Sequence, residues 1–288
     1  MTAPARTIVV TGASTGIGRA SVLALLDAGF RVFAGVRSER DAAELRVAAP
    51  SHGATRLDTL HLDVTDETQI AAAVETVRRA VGPAGLWGLF NNAGISVAGP
   101  LEYVSGADLR RQLEVNVVAP VAVTRAFIPL LRQARGRVLT TGSVAGFIAM
   151  PGLAPYAMSK HALEAFSDAL RRELRPWGIA VALLEPGAIA TEIWQKGLSG
   201  FDALMKTPPP GLVEHYGPFL NRMNEVARAS LGHASPVEVV TRDVVHAFAA
   251  PRPRTRYRMG ADSLAQRWIS RLPDRWADAL LARYLHWG

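Results

Sequence analysis

The stretch Thr11-Gly12-Ala13-Ser14-Thr15-Gly16-Ile17-Gly18 follows a short β-branched, apolar segment and precedes a helical pattern over residues 19–28. Strand, glycine turn and helix in this order are the context that a dinucleotide-binding site requires. Glycines let the backbone approach a pyrophosphate, and the start of the helix offers N–H groups to it. A tight turn without a ligand is the alternative. The candidate cofactor-binding residues of this turn are Gly12, Ser14, Thr15, Gly16, Ile17 and Gly18.

Apolar segments and helical patterns alternate up to about residue 190. This alternation predicts an α/β fold with a doubly wound parallel sheet, whose ligand crevice lies at the carboxyl ends of the strands. We expect one domain over residues 1–250. Residues 192–235 contain Pro208-Pro209-Pro210 and several glycines, which predicts a substrate lid, helical in part but irregular and mobile over most of its length. Residues 251–288 are expected to form a basic, amphipathic C-terminal extension.

Composition excludes several classes of protein. The 288 residues are 49% hydrophobic and contain no cysteine, which excludes disulfides, thiolate metal sites and cysteine nucleophiles. The seven histidines are scattered, so no metal site is expected. No uncharged apolar run reaches the roughly 18 residues of a membrane span, because Arg125 interrupts the longest candidate. Residues 1–6 lack the apolar core of a signal peptide. We expect a cytoplasmic protein.

The net charge of +7 is concentrated in one region. Residues 251–288 hold eight arginines and three aspartates, a net +5, while the rest of the chain is close to neutral. The basic excess is therefore a property of the C-terminal extension and comes with no recognisable nucleic-acid-binding module. We expect no nucleic-acid partner.

The second predicted strand, residues 31–36, ends at Arg37 rather than at an acid. A carboxylate at this position binds the ribose 2′-OH of NAD, whereas an arginine suits the 2′-phosphate of NADP. Ser14 adds a hydroxyl to the same phosphate. A solvated loop arginine is the alternative, given Arg40 nearby. We favour NADP(H) over NAD.

Two further strand ends carry cofactor candidates. Asp63 and Val64 end a short strand, where the carboxylate is placed to bind the adenine amino group and the valine to pack on the ring; a role at the start of the next helix is the alternative. The sequence Asn91-Asn92-Ala93-Gly94 follows a buried strand and predicts a sharp, mainly structural turn against the adenosine half. The binding candidates here are Asn92, Ala93 and Gly94.

The chemistry points to Tyr156-Ala157-Met158-Ser159-Lys160. Residues four apart share one face of a helix, so the phenol and the ammonium lie side by side, and the ammonium is expected to lower the pKa of the phenol. Only three of the 32 basic residues are lysine, which favours a specific role for Lys160. Ser143, at another strand end, is placed to orient a carbonyl or carbinol oxygen. Asn116 lies in an apolar helix and either binds a neighbouring element or holds a water linked to Lys160.

Together these motifs resemble the short-chain dehydrogenase/reductase superfamily over about residues 5–250. The resemblance implies a Rossmann-type domain in which Tyr156 is the acid/base, Lys160 lowers its pKa and holds the nicotinamide ribose, and Ser143 fixes the substrate oxygen. It further implies that Asn116 supports a proton relay and that relatives are homodimers or homotetramers. For the nicotinamide carboxamide it assigns the turn that contains Pro186, Gly187, Ile189 and Thr191.

A narrower resemblance is to the branch with retinol, 17-beta-hydroxysteroid and 3-hydroxybutyrate dehydrogenases. It rests on residues 85–89 (GLWGL), 133–137 (QARGR), 163–172 (LEAFSDALRR) and 253–257 (PRTRY). NAD-using members carry an acid where this chain has Ser14, which again favours NADP(H).

We expect a small-molecule alcohol/carbonyl substrate that is lipophilic (steroid-, retinoid- or long-chain-like), because apolar side chains dominate the segments that form the pocket: Ile148, Met150, Leu153, Ile193, Trp194, Phe201, Leu204 and Met205. The alternatives are a 3-oxoacyl-thioester or other small polar carbonyl reductase of the same superfamily, and a non-catalytic dinucleotide-sensing protein.

The C-terminal extension contains a helical pattern that begins at Asp274. Its apolar residues share one face, with arginines largely outside it: Trp276, Leu280, Leu281, Tyr284 and Leu285. One interpretation is packing on the body or on a second subunit. The other is a peripheral membrane helix with arginines toward anionic lipid.

Overall fold

The computed structural model describes residues 6–285, except for the side chains of residues 193–196, 198, 200, 261, 262, 264 and 265. A parallel sheet has the strand order β3-β2-β1-β4-β5-β6-β7. The strands are β1 (Thr7–Val10), β2 (Arg31–Val36), β3 (Leu57–His61), β4 (Gly88–Asn91), β5 (Arg137–Thr141), β6 (Ala180–Pro186) and β7 (Arg256–Met259). The strand order reverses between β1 and β4, so the ligand crevice opens above this pair.

Helices cover both faces of the sheet. They are α1 (Gly16–Asp27), α2 (Glu39–Ala48), α3 (Glu67–Val81), α4 (Gly106–Leu113), α5 (Ala119–Ala134), α6 (Ala154–Leu174), α7 (Glu192–Lys206), α8 (Leu212–Gly232), α9 (Glu238–Ala249), α10 (Ala261–Ile269) and α11 (Asp274–Leu285). Alternate residues of β1 point to opposite faces: Ile8 packs in the core beneath α1 and α9, and Val9 packs in the core beneath α3 and α5. The predicted doubly wound parallel sheet is confirmed.

The helix predicted as one continuous element before β5 is interrupted. Residues Glu114–Val118 form a π-helical turn between α4 and α5. The whole stretch Gly106–Ala134 is long and apolar enough to cross a bilayer. Its α5 part packs against the sheet, with Phe127, Leu130 and Leu131 in the core, as expected for an internal helix of a globular domain.

The prediction that residues 192–235 are mostly irregular is wrong, because α7 and α8 occupy most of this segment. Leu212, Phe219 and Leu220 recur at helical spacing and are buried together, which favours a helix despite Pro218. The three consecutive prolines, 208–210, fall in the connection between the two helices.

Sequence reasoning also missed β7, which lies in the stretch assigned to the C-terminal extension. Tyr257 and Met259 are buried while Arg258 between them is exposed, so the four residues alternate as an edge strand does. Arg256 and Arg258 are two of the four residues of β7. Their charge concealed the alternation, because the segment was interpreted mainly as a basic extension. The sheet therefore extends to residue 259, beyond the predicted boundary at 250.

The last helix packs on the body through one edge. Leu285 is buried in a small cluster with Leu212, Phe219 and Leu220 of α8. Most of the rest of the predicted apolar face faces solvent, because Trp276, Leu280 and Tyr284 are exposed. Trp268 of α10 is exposed as well.

Candidate active site

The turn between β1 and α1 is packed too closely for a side chain at Gly12 and at Gly18. A Cβ atom on Gly18 would lie 2.1 Å from the carbonyl oxygen of Gly12, and one on Gly12 would lie 2.7 Å from Cα of Ala93. Gly12 also has φ +63°, which favours glycine. Thr15 is the N-cap of α1 but its side chain makes no capping hydrogen bond. The start of the helix thus presents N–H groups above a bare backbone, which fits a dinucleotide pyrophosphate.

The turn after β4 is tied to the glycine turn by hydrogen bonds. The hydroxyl of Thr11 accepts from the amides of Asn92 (3.0 Å) and Ala93 (3.1 Å). The side-chain amide of Asn92 donates to the carbonyl oxygens of Thr11 (3.2 Å) and Gly12 (3.1 Å). The side chains hold neighbouring backbone, in agreement with the mainly structural role predicted for this turn.

The residues proposed for the adenosine half come together at the ends of β2 and β3. Arg37 is exposed at the end of β2. Two hydrogen bonds from Thr65, and then the positive charges of Arg37 and His61, hold the pKa of Asp63 below its ordinary value. One carboxylate oxygen of Asp63 is thereby engaged with Thr65 (3.0 and 2.7 Å), which is the helix-start alternative. Val64 is buried in the core.

The turn after β6 reaches the glycine turn from the other side. The amide of Gly187 donates to the carbonyl oxygen of Met259 in β7 (2.8 Å), and Ile189 is buried. Thr191 precedes α7, and its Cβ lies 3.4 Å from where a Cβ on Gly16 would be. The predicted carboxamide turn and the predicted pyrophosphate turn are therefore in contact.

Tyr156, Lys160 and Ser143 meet at the edge of this crevice. The ammonium of Lys160 lies 5.5 Å from the centroid of the Tyr156 ring and donates to the carbonyl oxygen of Thr141 (2.7 Å). The hydroxyl of Ser143 accepts from the amide of Ala145 (3.1 Å), and it lies close enough to the phenol of Tyr156 to act on the pKa of that group. The three side chains predicted to carry the chemistry are thus brought together.

The electrostatics differ from the expectation that the ammonium makes the phenol more acidic. Burial raises the pKa of Tyr156 above its ordinary value, opposed only by the hydrogen bond from Ser143. Burial also lowers the pKa of Lys160 to about 8. Desolvation disfavours the charged form of each group, the phenolate and the ammonium. The pKa of Tyr156 therefore shifts in the direction opposite to the prediction.

Asn116 sits in the π-helical turn and is buried. Its side-chain oxygen accepts from the amide of Ile95 (2.9 Å), and its side-chain nitrogen donates to the carbonyl oxygen of Ile95 (3.0 Å) and to the hydroxyl of Ser159 (3.1 Å). These bonds match the structural alternative, in which the residue binds neighbouring elements. A role in a proton relay stays a prediction.

The chain is similar to known proteins in sequence and in fold. Residues 6–200 match the family model for short chain dehydrogenases. The chain is 39% identical over 284 residues to retinol dehydrogenase 5 of Mus musculus, covering 95% of this chain and 87% of that protein. It is 37% identical over 286 residues to an NADPH-dependent 3-dehydrocapnine reductase of Ornithobacterium rhinotracheale, covering 97% of each. A solved short chain dehydrogenase from Burkholderia cenocepacia in complex with NADP has a TM-score of 0.70 and 26% identity over 98% of each chain.

The chain belongs to the short chain dehydrogenase family. The resemblance read from the motifs is confirmed, including the branch that contains the retinol dehydrogenases. This short chain dehydrogenase is accordingly an oxidoreductase. The alternative of a dinucleotide-sensing protein without catalysis finds no support among relatives that are named as dehydrogenases and reductases.

In this short chain dehydrogenase, only some of the apolar residues predicted for the substrate pocket lie together in one cluster. Met150, Phe201, Leu204 and Met205 pack against the small cluster of α8 that contains Phe219 and Leu220. Ile148 is buried beside the loop that carries Ser143. The side chains of Ile193 and Trp194 lie outside the described part of the chain. Among residues 6–285, no three His, Asp or Glu side chains lie close enough together to hold a metal ion.

Sequence reasoning missed several polar residues that shape the site. Ser159 accepts from Asn116 and also from the side chain of Gln112 (3.3 Å), and donates to the carbonyl oxygen of Tyr156 (2.7 Å). Gln112 in turn accepts from the amide of Val97 (2.6 Å). Gln112 lies four residues before Asn116, so the two amides share one face of a helix, and this spacing is the signal that could have revealed the network.

Proposed function

We propose that this enzyme moves a hydride between NADP(H) and a lipophilic alcohol/carbonyl substrate, with Tyr156 as the acid/base. The observation that carries the proposal is that three side chains converge at the edge of the crevice: the ammonium of Lys160 lies 5.5 Å from the centroid of the Tyr156 ring, and Ser143 lies beside the phenol. Two hydroxyls that meet at one point are able to bind one substrate oxygen together.

In reduction, Tyr156 gives its proton to the substrate oxygen while Ser143 donates a hydrogen bond that keeps that oxygen in place. In oxidation, Tyr156 takes the proton from the alcohol. The raised pKa keeps the phenol protonated at neutral pH, which suits it to act as the donor. When bound, the nicotinamide supplies or accepts the hydride. The ammonium of Lys160 stabilises negative charge that develops on the phenol oxygen, and Asn116 is proposed to support the return of the proton from solvent.

NADP(H) is the cofactor that the strand ends favour. Arg37 is exposed where an NAD site would carry an acid, and Ser14 adds a hydroxyl on the facing turn. Ser14, Thr15, Ile17 and the turn glycines are proposed to hold the pyrophosphate, with Asp63 and Val64 at the adenine. Ile189 and Thr191 are proposed to bind the carboxamide of the nicotinamide. A relative is named as NADPH-dependent, and a structural neighbour was solved with NADP.

A lipophilic substrate is supported by the apolar cluster of the lid, which the loop after Ser143 joins. The lid helices α7 and α8 contribute Leu204, Met205 and Phe219 to one cluster, and Met150 joins it from the loop after Ser143. A relative of this chain is named as a retinol dehydrogenase. The alternative is a 3-oxoacyl-thioester or another small polar carbonyl compound.

We also propose that the protein is cytoplasmic and docks on membranes through α10 and α11. Trp268, Trp276, Leu280 and Tyr284 are exposed. Arg271, between the two helices, and Arg275 and Arg283 of α11 are exposed as well and are placed to meet anionic headgroups. Aromatic side chains beside arginines are typical of helices that lie in the interface of a bilayer. Oligomerisation as a homodimer or homotetramer stays a prediction.

The test is a substrate panel. Steroids, retinoids, long-chain alcohols and acetoacetyl thioesters are assayed with NADPH and NADH for the wild type and for Tyr156→Phe. We expect turnover of a lipophilic substrate with NADPH, and a loss of about 10²- to 10⁴-fold in kcat for the variant with NADPH binding retained. Near-wild-type turnover by Tyr156→Phe would refute the acid/base role, and selective turnover of thioesters would favour the alternative.

A further inference from the structure

Arg256 of β7 contacts three carboxylates on two other elements. Its Nη2 lies 2.9 Å from Glu164 and 3.0 Å from Asp168, both on α6, and its Nε lies 2.9 Å from Glu185 at the end of β6. Glu185 is almost fully buried, with 2% of its side chain exposed, and its other oxygen pairs with Arg258 at 2.7 Å. Glu164 and Asp168 belong to the motif LEAFSDALRR and Arg256 to the motif PRTRY, two motifs that the sequence singled out without a function for them.

The carboxylates lie at positions that matter for the reaction. Tyr156, Lys160, Glu164 and Asp168 follow one another at intervals of four residues, so they form one stripe along α6. Glu185 directly precedes Pro186 and the turn proposed to hold the nicotinamide. Arg256 therefore joins the helix that carries the acid/base pair to the strand that delivers the nicotinamide turn.

The loop of Ser143 rests on the same group. A Cβ on Gly146 would lie 3.0 Å from the carbonyl oxygen of Lys160 and 3.1 Å from Cγ of Glu164, so the loop is in direct contact with this part of α6. The second carboxylate oxygen of Glu164 is buried with no hydrogen-bond partner among the described atoms. Glu164 is thus held from one side only, by Arg256, and a change at residue 256 would be passed to the loop.

We propose that Arg256, acting through Glu164, Asp168 and Glu185, is a positioning residue that sets the distance between Tyr156, Ser143 and the nicotinamide turn. The inference rests on the proposed role of Tyr156. A guanidinium offers several N–H donors in a fixed planar arrangement, and this geometry lets one side chain bind three carboxylates. A displacement of about 1 Å in an active site can cost about 100-fold in rate.

The test compares Arg256→Gln and Arg256→Lys with Arg31→Gln in the full chain. Arg31 forms a partly buried ion pair with Asp58 between β2 and β3, away from the site, and serves as the matched control. For each variant, kcat, KM, the Kd of NADPH and the melting temperature are measured with the best substrate of the panel.

We expect Arg256→Gln to lose about 10- to 100-fold in kcat, with KM and the Kd of NADPH within about threefold of wild type. Arg256→Lys should not restore kcat, because an ammonium lacks the planar fork. Arg31→Gln should keep the kcat of the wild type even if its melting temperature falls as far as that of Arg256→Gln. A wild-type kcat in Arg256→Gln, or an equal loss in Arg31→Gln, would overturn the inference.

If Arg256→Gln does not fold, Glu164→Gln replaces it, since the amide keeps the size of the side chain but removes the charge that Arg256 binds. We expect at least about a fivefold loss of kcat without a change in melting temperature; unchanged kcat would overturn the inference. Failure of the proposed function is seen separately, as retained turnover in Tyr156→Phe.

Discussion

Around the glycine turn the backbone is so closely packed that Gly18 has no room for a methyl group, whereas in the last two helices Trp268 and Trp276 expose 70% and 69% of their surface. In the first region, main-chain atoms and short polar side chains set the geometry, and a ligand meets backbone N–H groups. In the second region, large side chains extend from helices whose own packing uses few of them. The first region suits a ligand of fixed shape, and the second is the region proposed to dock on a membrane surface.

The largest effect is expected where the packing is closest. Gly18→Ala would place a Cβ 2.1 Å from the carbonyl oxygen of Gly12 and 2.5 Å from the side-chain nitrogen of Asn92. We expect a loss of about 1–3 kcal/mol in the free energy of unfolding and at least about a tenfold rise in the Kd of NADPH. Denaturant unfolding and NADPH fluorescence measure the two quantities.

Gly232→Ala is the matched control for Gly18→Ala, because nothing lies within 4 Å of the added Cβ at the exposed end of α8. It should leave the Kd of NADPH unchanged. Equal losses in both variants would show that the glycine turn is no more constrained than the surface of the lid.

A narrower effect, on the choice of cofactor and not on folding, is expected at the rim of the first region. Arg37→Asp removes the cation proposed to bind the 2′-phosphate and supplies the acid typical of NAD sites. A hydrogen bond to a charged group contributes about 1.5–3 kcal/mol, so the ratio of kcat/KM for NADPH over NADH should fall by about 10- to 150-fold. Arg40→Asp, an exposed arginine three residues on, should change this ratio far less. An unaltered ratio in Arg37→Asp would mean that Arg37 is a solvated loop residue.

The smallest effect concerns the second region. The double substitution Trp276→Ser and Leu280→Ser removes two exposed apolar side chains from α11 without touching buried Leu285. Binding to vesicles of anionic phospholipid, measured by co-sedimentation, should weaken by roughly tenfold. Trp177→Ser removes an exposed tryptophan beyond the far end of α6 and should bind as wild type does. Equal binding by all three proteins would contradict membrane docking through α11.

The two regions also differ in how much the sequence predicted. Near the glycine turn, the type of each residue predicts where it lies. The glycines stand where a Cβ would clash, and the polar residues follow strands whose ends form the ligand edge of the sheet. After residue 191, helices stand where an irregular lid was expected, since apolar spacing outweighed Pro218 and the glycines. The strand β7 was missed because Arg256 and Arg258 obscure the alternation with Tyr257 and Met259.

Two features of the site depend on three-dimensional surroundings and could not be predicted from local sequence. Burial raises the pKa of Tyr156, and the degree of burial is a property of the assembled fold. The network of Arg256 joins residues that are about 90 positions apart in sequence. Neither follows from the spacing within a single motif.

The lid, residues 192–235, begins and ends beside the same turn after β6. Ser235, just after α8, accepts from the amide of Ala190 (3.0 Å) and donates its own amide to the carbonyl oxygen of Ala188 (2.9 Å). The two ends of the insert are thus fastened to each other, and the cost of closing a chain segment grows only slowly with its length. The segment between them forms an exchangeable module, which evolution or an engineer can lengthen, shorten or replace to suit another substrate while the reacting groups below keep their places.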